Sequence, residues 1–79
     1  MPRELGQFPP TAAQLLLRLP RDQIWKILQA LQNLCDDPNL LALREEDGEN
    51  FIVASGYTIF VGVDDTTVTV LMLRKISTN

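Results

Sequence analysis

The chain has 79 residues, 46% of them hydrophobic and 22% charged, with a net charge of −3 and a pI of about 4.6. That length suits one domain, and the composition excludes a disordered tail. The seven basic residues are scattered, so a nucleic-acid binder is not expected, because phosphate contacts need clustered Lys and Arg.

Residues 1–8, MPRELGQF, carry no clear period and are expected to be either disordered or a short edge strand. Pro9 and Pro10 open the next segment and Pro20 closes it. Proline suits a first helical turn and not an interior one, so Thr11–Leu19 reads as a short helix. Leu15, Leu16, Leu17 and Leu19 leave it little polar face, and burial of most of it follows.

The segment from Arg21 to Pro38 is the strongest helix signal. Ile24, Ile27, Leu28, Leu31, Leu34 and Cys35 recur at three- and four-residue steps, which places them on one face. Asp22 is the expected N-cap, and Pro38 ends the helix at or before Asp37. Trp25 flanks the stripe. Core packing is its first reading, and an anchor for a partner is the other. The short connection around Pro20 predicts an antiparallel helical hairpin.

Leu40–Leu43 reads as a brief extended piece, and Glu45, Glu46, Asp47 and Glu49 around Gly48 as a solvated acidic loop, with docking of a basic partner the other reading. From Asn50 the pattern turns to β. NFIVA, YTIFVGV and TVTVLML are rich in β-branched and aromatic residues. DDTT is the last turn, since Asp stabilises turns through its own backbone. The sequence predicts a single α+β domain over 1–79, with an N-terminal helical hairpin on one face of an antiparallel sheet of three to four strands. No parallel crossover is expected.

Several chemistries are excluded or disfavoured. Histidine is absent, so Ser-His-Asp and Cys-His arrangements are impossible. The single Cys35 cannot form an internal disulfide or build a zinc site alone, and it reads as a buried, inert thiol. No cofactor and no metal is expected. There is no basic-then-apolar leader and no apolar run near the ~20 residues a membrane span needs. A cytoplasmic protein without membrane contact is the expectation.

The stretch Gly56-Tyr57-Thr58-Ile59-Phe60-Val61-Gly62-Val63-Asp64-Asp65, followed by Thr67-Val68-Thr69-Val70-Leu71, resembles the closing hairpin of the RelE/ParE superfamily of bacterial toxins, of the toxin–antitoxin or plasmid-stabilisation type. The upstream helix, with Ile27, Leu28, Leu31 and the terminating Asp37-Pro38, is similar to that family's second helix. The resemblance runs from about Ala12 to Ile76. It implies a RelE/ParE-like fold and, in RNA-cutting members, basic residues in the strands that stabilise charge at phosphorus.

Carried over by position, that set is degenerate here. Thr58 stands where an arginine is implied, Met72 where a basic residue is, and Phe51-Ile52-Val53 where lysines are. Arg74-Lys75-Ile76 replaces the family's Gly-His-Arg ending. Arg74 and Lys75 are the only weak catalytic candidates, and solvated charges are their plainer reading. Tyr57, in the family's tyrosine position, reads as structural.

The strands are apolar on more than one face, and one helical layer covers only one. Tyr57, Phe60 and Met72, with Trp25, are therefore the partner-binding candidates. The reading that results is a RelE/ParE-fold protein without ribonuclease activity, acting through an antitoxin-like protein partner or through a homodimer. The alternative is an active toxin, either an mRNA endoribonuclease with a rearranged site or a gyrase inhibitor.

Overall fold

The computed structural model describes residues 2–76. The elements run β1 (Glu4–Leu5), α1 (Pro10–Leu17), α2 (Arg21–Asp36), β2 (Arg44–Glu46), β3 (Glu49–Ala54), β4 (Tyr57–Val63) and β5 (Thr67–Lys75). The five strands form one sheet in the order β1-β5-β4-β3-β2. Both helices contribute to a single core on one of its faces.

The α+β class is as expected, but the sheet is mixed and has five strands. β1 is the short edge strand and runs parallel to β5, with Glu4 opposite Thr67 and Leu5 opposite Val68. The expected all-antiparallel sheet of three to four strands is corrected here. The connection between the two parallel strands is not a short crossover. It is the whole helical layer plus the meander, which brings β5 back beside the start of the chain. Backbone hydrogen bonds fix β1 from both sides. Arg3 N–H donates to the Cys35 carbonyl at 2.9 Å, and Glu4 and Gly6 N–H donate to the Thr66 and Val68 carbonyls at 2.8 Å each. A Cβ on Gly6 would lie 3.3 Å from the Thr69 hydroxyl, so the close approach suits glycine.

α1 is shorter and less buried than its four leucines suggest. Only Ala12 and Leu16 are buried, and Leu17 is 76% exposed. Three consecutive leucines span most of a helical turn, and a helix lying on a sheet buries one stripe only. α2 follows its periodicity: Ile27, Leu31, Leu34 and Cys35 are buried, with Ile24 and Leu28 packed alongside. Asp22 lies inside the first turn, and Pro20 occupies the cap position without a side-chain hydrogen bond. The helices meet the sheet more than each other, α1 against β5 and α2 across β1, β5 and β3. The expected helical hairpin is thus not the organising contact.

Leu40–Leu43 is not extended. Asp37 N–H donates to the Leu34 carbonyl, and the chain then turns with Leu40 at φ 52°. The Asp37 carboxylate accepts the Asn39 and Leu41 backbone N–H groups, both at 2.9 Å, and so holds this left-handed residue in place. The expected acidic loop is instead a hairpin. Asp47 and Gly48 form its two-residue turn with φ of 52° and 79°, which β2 and β3 flank. Ser55 and Gly56 repeat the same backbone (φ 52° and 80°) between β3 and β4. Both are the primed turns that match strand twist.

β4 and β5 pair along most of their length, with a bulge between Phe60 and Val61. Phe60 stands opposite Met72, but Val61 stands opposite Val70. Leu71 is the extra residue. Strict alternation would put Val70 and Met72 on one face and Leu71 and Leu73 on the other. The bulge changes this: Val70 and Leu73 are buried while Leu71 and Met72 are both exposed.

At the last turn, the Asp64 carboxylate accepts Thr66 N–H at 2.8 Å and Thr67 N–H at 2.7 Å. These backbone bonds hold its pKa below the ordinary 3.8. The Leu41 and Asn39 N–H groups do the same for Asp37. Because each folded pKa is depressed, the stabilisation is complete above about pH 5, shrinks as pH falls towards the unfolded value and is lost as pH falls through the folded values. An Asp37→Ala/Asp64→Ala variant should therefore have a lower urea midpoint than the parent at pH 7. The gap should hold down to roughly pH 5 and close towards pH 2. A gap unchanged at pH 2 would contradict this account.

Candidate functional site

The sheet has one face under the helices and one facing solvent. Directly opposed residues share a face, so the register defines the outer one. Arg44, Phe51, Phe60 and Met72 form a row across β2, β3, β4 and β5. Thr58 pairs with Val53 on one side and Arg74 on the other. Glu46 stands opposite Glu49 beside the Asp47-Gly48 turn.

The Phe51 and Phe60 rings lie 6.0 Å apart at 56°, within the range of favourable tilted aromatic pairs. The Arg74 guanidinium carbon lies 5.9 Å from the centre of the Phe60 ring, a cation–π distance. Leu71 is 57% and Met72 46% exposed, and Val53 is exposed on β3, opposite Thr58. The bulge leaves the number of outward apolar side chains on this stretch unchanged but sets two large ones, Leu71 and Met72, next to each other.

Two hollows join on this face. One, of about 560 Å³, is bordered by Glu49, Phe60, Gly62, Leu71, Met72 and Arg74. The other, of about 330 Å³, lies over Phe51 and Thr58 and is walled by Glu46 and Asp47. Glu49, Phe60 and Arg74 border both.

Among the residues singled out in the sequence, the structure brings Phe60, Met72 and Arg74 together. It separates the rest. Lys75 follows Arg74 on β5 and stands opposite Tyr57, so strand alternation directs the two cations to opposite faces. They do not converge on one anion. Tyr57 is half-buried and packs against the core. Trp25 is not part of the core, its first reading from the sequence: it is 66% exposed on α2, one step beyond the buried stripe, so its other reading, as a partner anchor, would lie on the helical layer and not on the open sheet face. Cys35 is buried. Burial pushes its thiol pKa up, the neighbouring Asp36 adds to this, and Arg3 opposes it. A thiol held protonated is a poor nucleophile and metal ligand. Among the described residues no group of three or more His, Cys, Asp or Glu is placed to hold a metal.

Phe51, Gly62 and Leu71 were not singled out from the sequence as site residues, and Glu46 and Glu49 read there as part of an acidic loop able to dock a basic partner, not as a cross-strand pair. The Asp-Gly and Ser-Gly turns could have supplied the first and last of these, because a two-residue turn fixes register on either side. No protein-family model matches the chain, and no curated protein sequence is similar to it.

If the outer row served only the fold, its loss would be costly. Met72→Lys should instead change unfolding free energy by under ~0.5 kcal/mol, as exposed positions do. Ile59→Ala, in the sealed core, should cost roughly 2–5 kcal/mol. Urea titration of the two variants beside the parent measures both. A Met72→Lys loss as large as that of Ile59→Ala would make the row a part of the core.

Proposed function

We propose that the protein works by binding another protein on the uncovered face of its sheet, and that it does not cleave RNA. The observation that carries this is the solvent-facing row of Phe51, Phe60 and Met72 with Leu71 beside it, left open by both helices. Antiparallel sheets that face water on one side usually alternate apolar and polar residues. A contiguous apolar patch on such a face marks an interaction surface.

The resemblance to RelE/ParE toxins fits this reading. A strand precedes the two helices and lies beside the last strand, and the meander that follows carries the similar wording. The family's toxins are held by a segment of an antitoxin, and a partner of that kind suits an open sheet face. The cleavage chemistry lacks support. Thr58 and Met72 occupy positions where the resemblance implies cations. Arg74 lies over Phe60, and Lys75 is directed to the other face. Two cations that diverge cannot clamp one phosphoryl group.

Two measurements on the purified chain test this. Incubation with ribosome-bound or free RNA should give no cleavage; cleavage lost in Lys75→Ala or Arg74→Ala would overturn the reading in favour of an active toxin. Tagged chain recovered from a bacterial host with a bound protein should lose that protein on Phe60→Ser or Met72→Lys and keep it on Trp25→Lys. Loss only on Trp25→Lys would move the interface to the helical layer.

A further inference from the structure

Neither its backbone angles nor its neighbours require Gly62 to be glycine. It sits near the end of β4, its φ lies outside the left-handed region, and a Cβ built on it meets nothing within 4 Å. An interior strand glycine weakens the strand, and it commonly marks a bulge, such as the one just before it at Phe60/Val61, or a place where another backbone or a ligand comes close. Here it forms the floor of the larger hollow, between Glu49 on one side and Leu71 and Met72 on the other. The bulge raises those last two side chains into a wall. A missing side chain and a local bulge thus act together to make a depression in an otherwise apolar face.

At the Gly62 hollow itself the charged residues are Glu49 and Arg74, and the acidic excess lies at the smaller hollow beside it. The charged residues bordering the two joined hollows are Glu46, Asp47, Glu49 and Arg74. Glu46 and Glu49 stand directly opposite each other, a like-charge pair that is unfavourable in isolation. Arg74 is already drawn over the Phe60 ring. A second copy of this face would bring Glu46, Asp47 and Glu49 with only Arg44 and Arg74 against them, onto a chain of net charge −3. A segment that brings cations without further carboxylates would relieve the repulsion between Glu46 and Glu49 more fully than a copy, so the acidic excess favours a basic partner.

Resting on the reading that the open face is a binding surface, we infer that its occupant is a basic, apolar peptide segment of a partner protein. The segment sets a large aliphatic side chain over Gly62 and a Lys or Arg against Glu46, Asp47 and Glu49.

The test uses the full chain and three synthetic peptides: one with a Leu/Ile centre flanked by lysines, one with glutamates in place of the lysines, and one with serines in place of the Leu/Ile. Binding is followed by amide chemical shifts. The lysine-flanked peptide should bind and shift Phe60, Gly62, Leu71 and Met72, and the other two should bind far more weakly. Gly62→Leu fills the hollow and should weaken binding by roughly tenfold or more, the scale on which a pocket discriminates one aliphatic group. Its thermal midpoint should be unchanged or higher, since the space is open. Glu49→Lys should weaken binding at low salt and flatten its salt dependence.

Equal binding of the serine peptide, or of the glutamate peptide, would overturn the inference. So would binding that Gly62→Leu leaves unchanged. Self-association that Gly62→Leu abolishes, without peptide binding, would replace the basic segment by a second copy and leave the open face as the interface. No binding and no self-association, with partner capture unaffected by Phe60→Ser, would remove both readings.

Discussion

Ile59 and Val61 of β4 and Val68, Val70 and Leu73 of β5 are almost completely withdrawn from solvent. They are the floor on which both helices rest. α1 lies against β5, and α2 extends over β5 to β1 and β3. A chain this short has few residues to bury, and a domain of its size hides only about 60% of the surface its unfolded chain exposes. The core must therefore be concentrated in one layer, and the β4–β5 ladder is that layer. β1 docks on the outer side of β5, and β3 and β2 extend the sheet from β4. The helices can cover one face only, so the other face is a consequence of the same packing.

What that other face displays depends on a single irregularity. With regular pairing, the apolar residues near the end of β5 would divide between the two faces. The extra residue at Leu71 resets the alternation, which keeps Val70 and Leu73 inside and sends Leu71 and Met72 out together. Phe60 then has Met72 on one side and Phe51 on the other, with Arg74 over its ring. The same register leaves Gly62 as a gap at the edge of the group. A fold-level device, the bulge, thus creates both an apolar ridge and the hollow beside it.

The separation of Arg74 from Lys75 has the opposite consequence for catalysis. Adjacent strand residues cannot share a face without a bulge between them, and this one falls at Leu71, before the pair. The two cations that the sequence sets side by side are divided by the pleat. Arg74 joins the aromatic group and Lys75 does not. The open face is therefore one of shape and apolar surface, edged by carboxylates from the β2–β3 hairpin.

Local periodicity determined α2, β4 and the start of β5, because six apolar residues at helical spacing and runs of β-branched residues each bury a face whatever they pack against. The same kind of signal settled Cys35, which lies on the apolar stripe. Turn chemistry held more than was drawn from it: Asp47-Gly48 and Ser55-Gly56 fix the register that sets Arg44, Phe51 and Phe60 in a row. Periodicity misled where it was too dense, as with the leucines of α1, and where it stopped one step short, as with Trp25. Only the tertiary structure decided that Glu4 and Leu5 pair with β5, because two residues carry no pattern and their pairing depends on a strand more than sixty residues away. Only it decided the bulge, because a bulge is a mismatch between two strands and neither strand contains it alone. The residues of the candidate site were legible one by one as apolar or charged. Their assembly into a ridge, a hollow and an acidic rim follows from pairing across the sheet, which no single segment specifies.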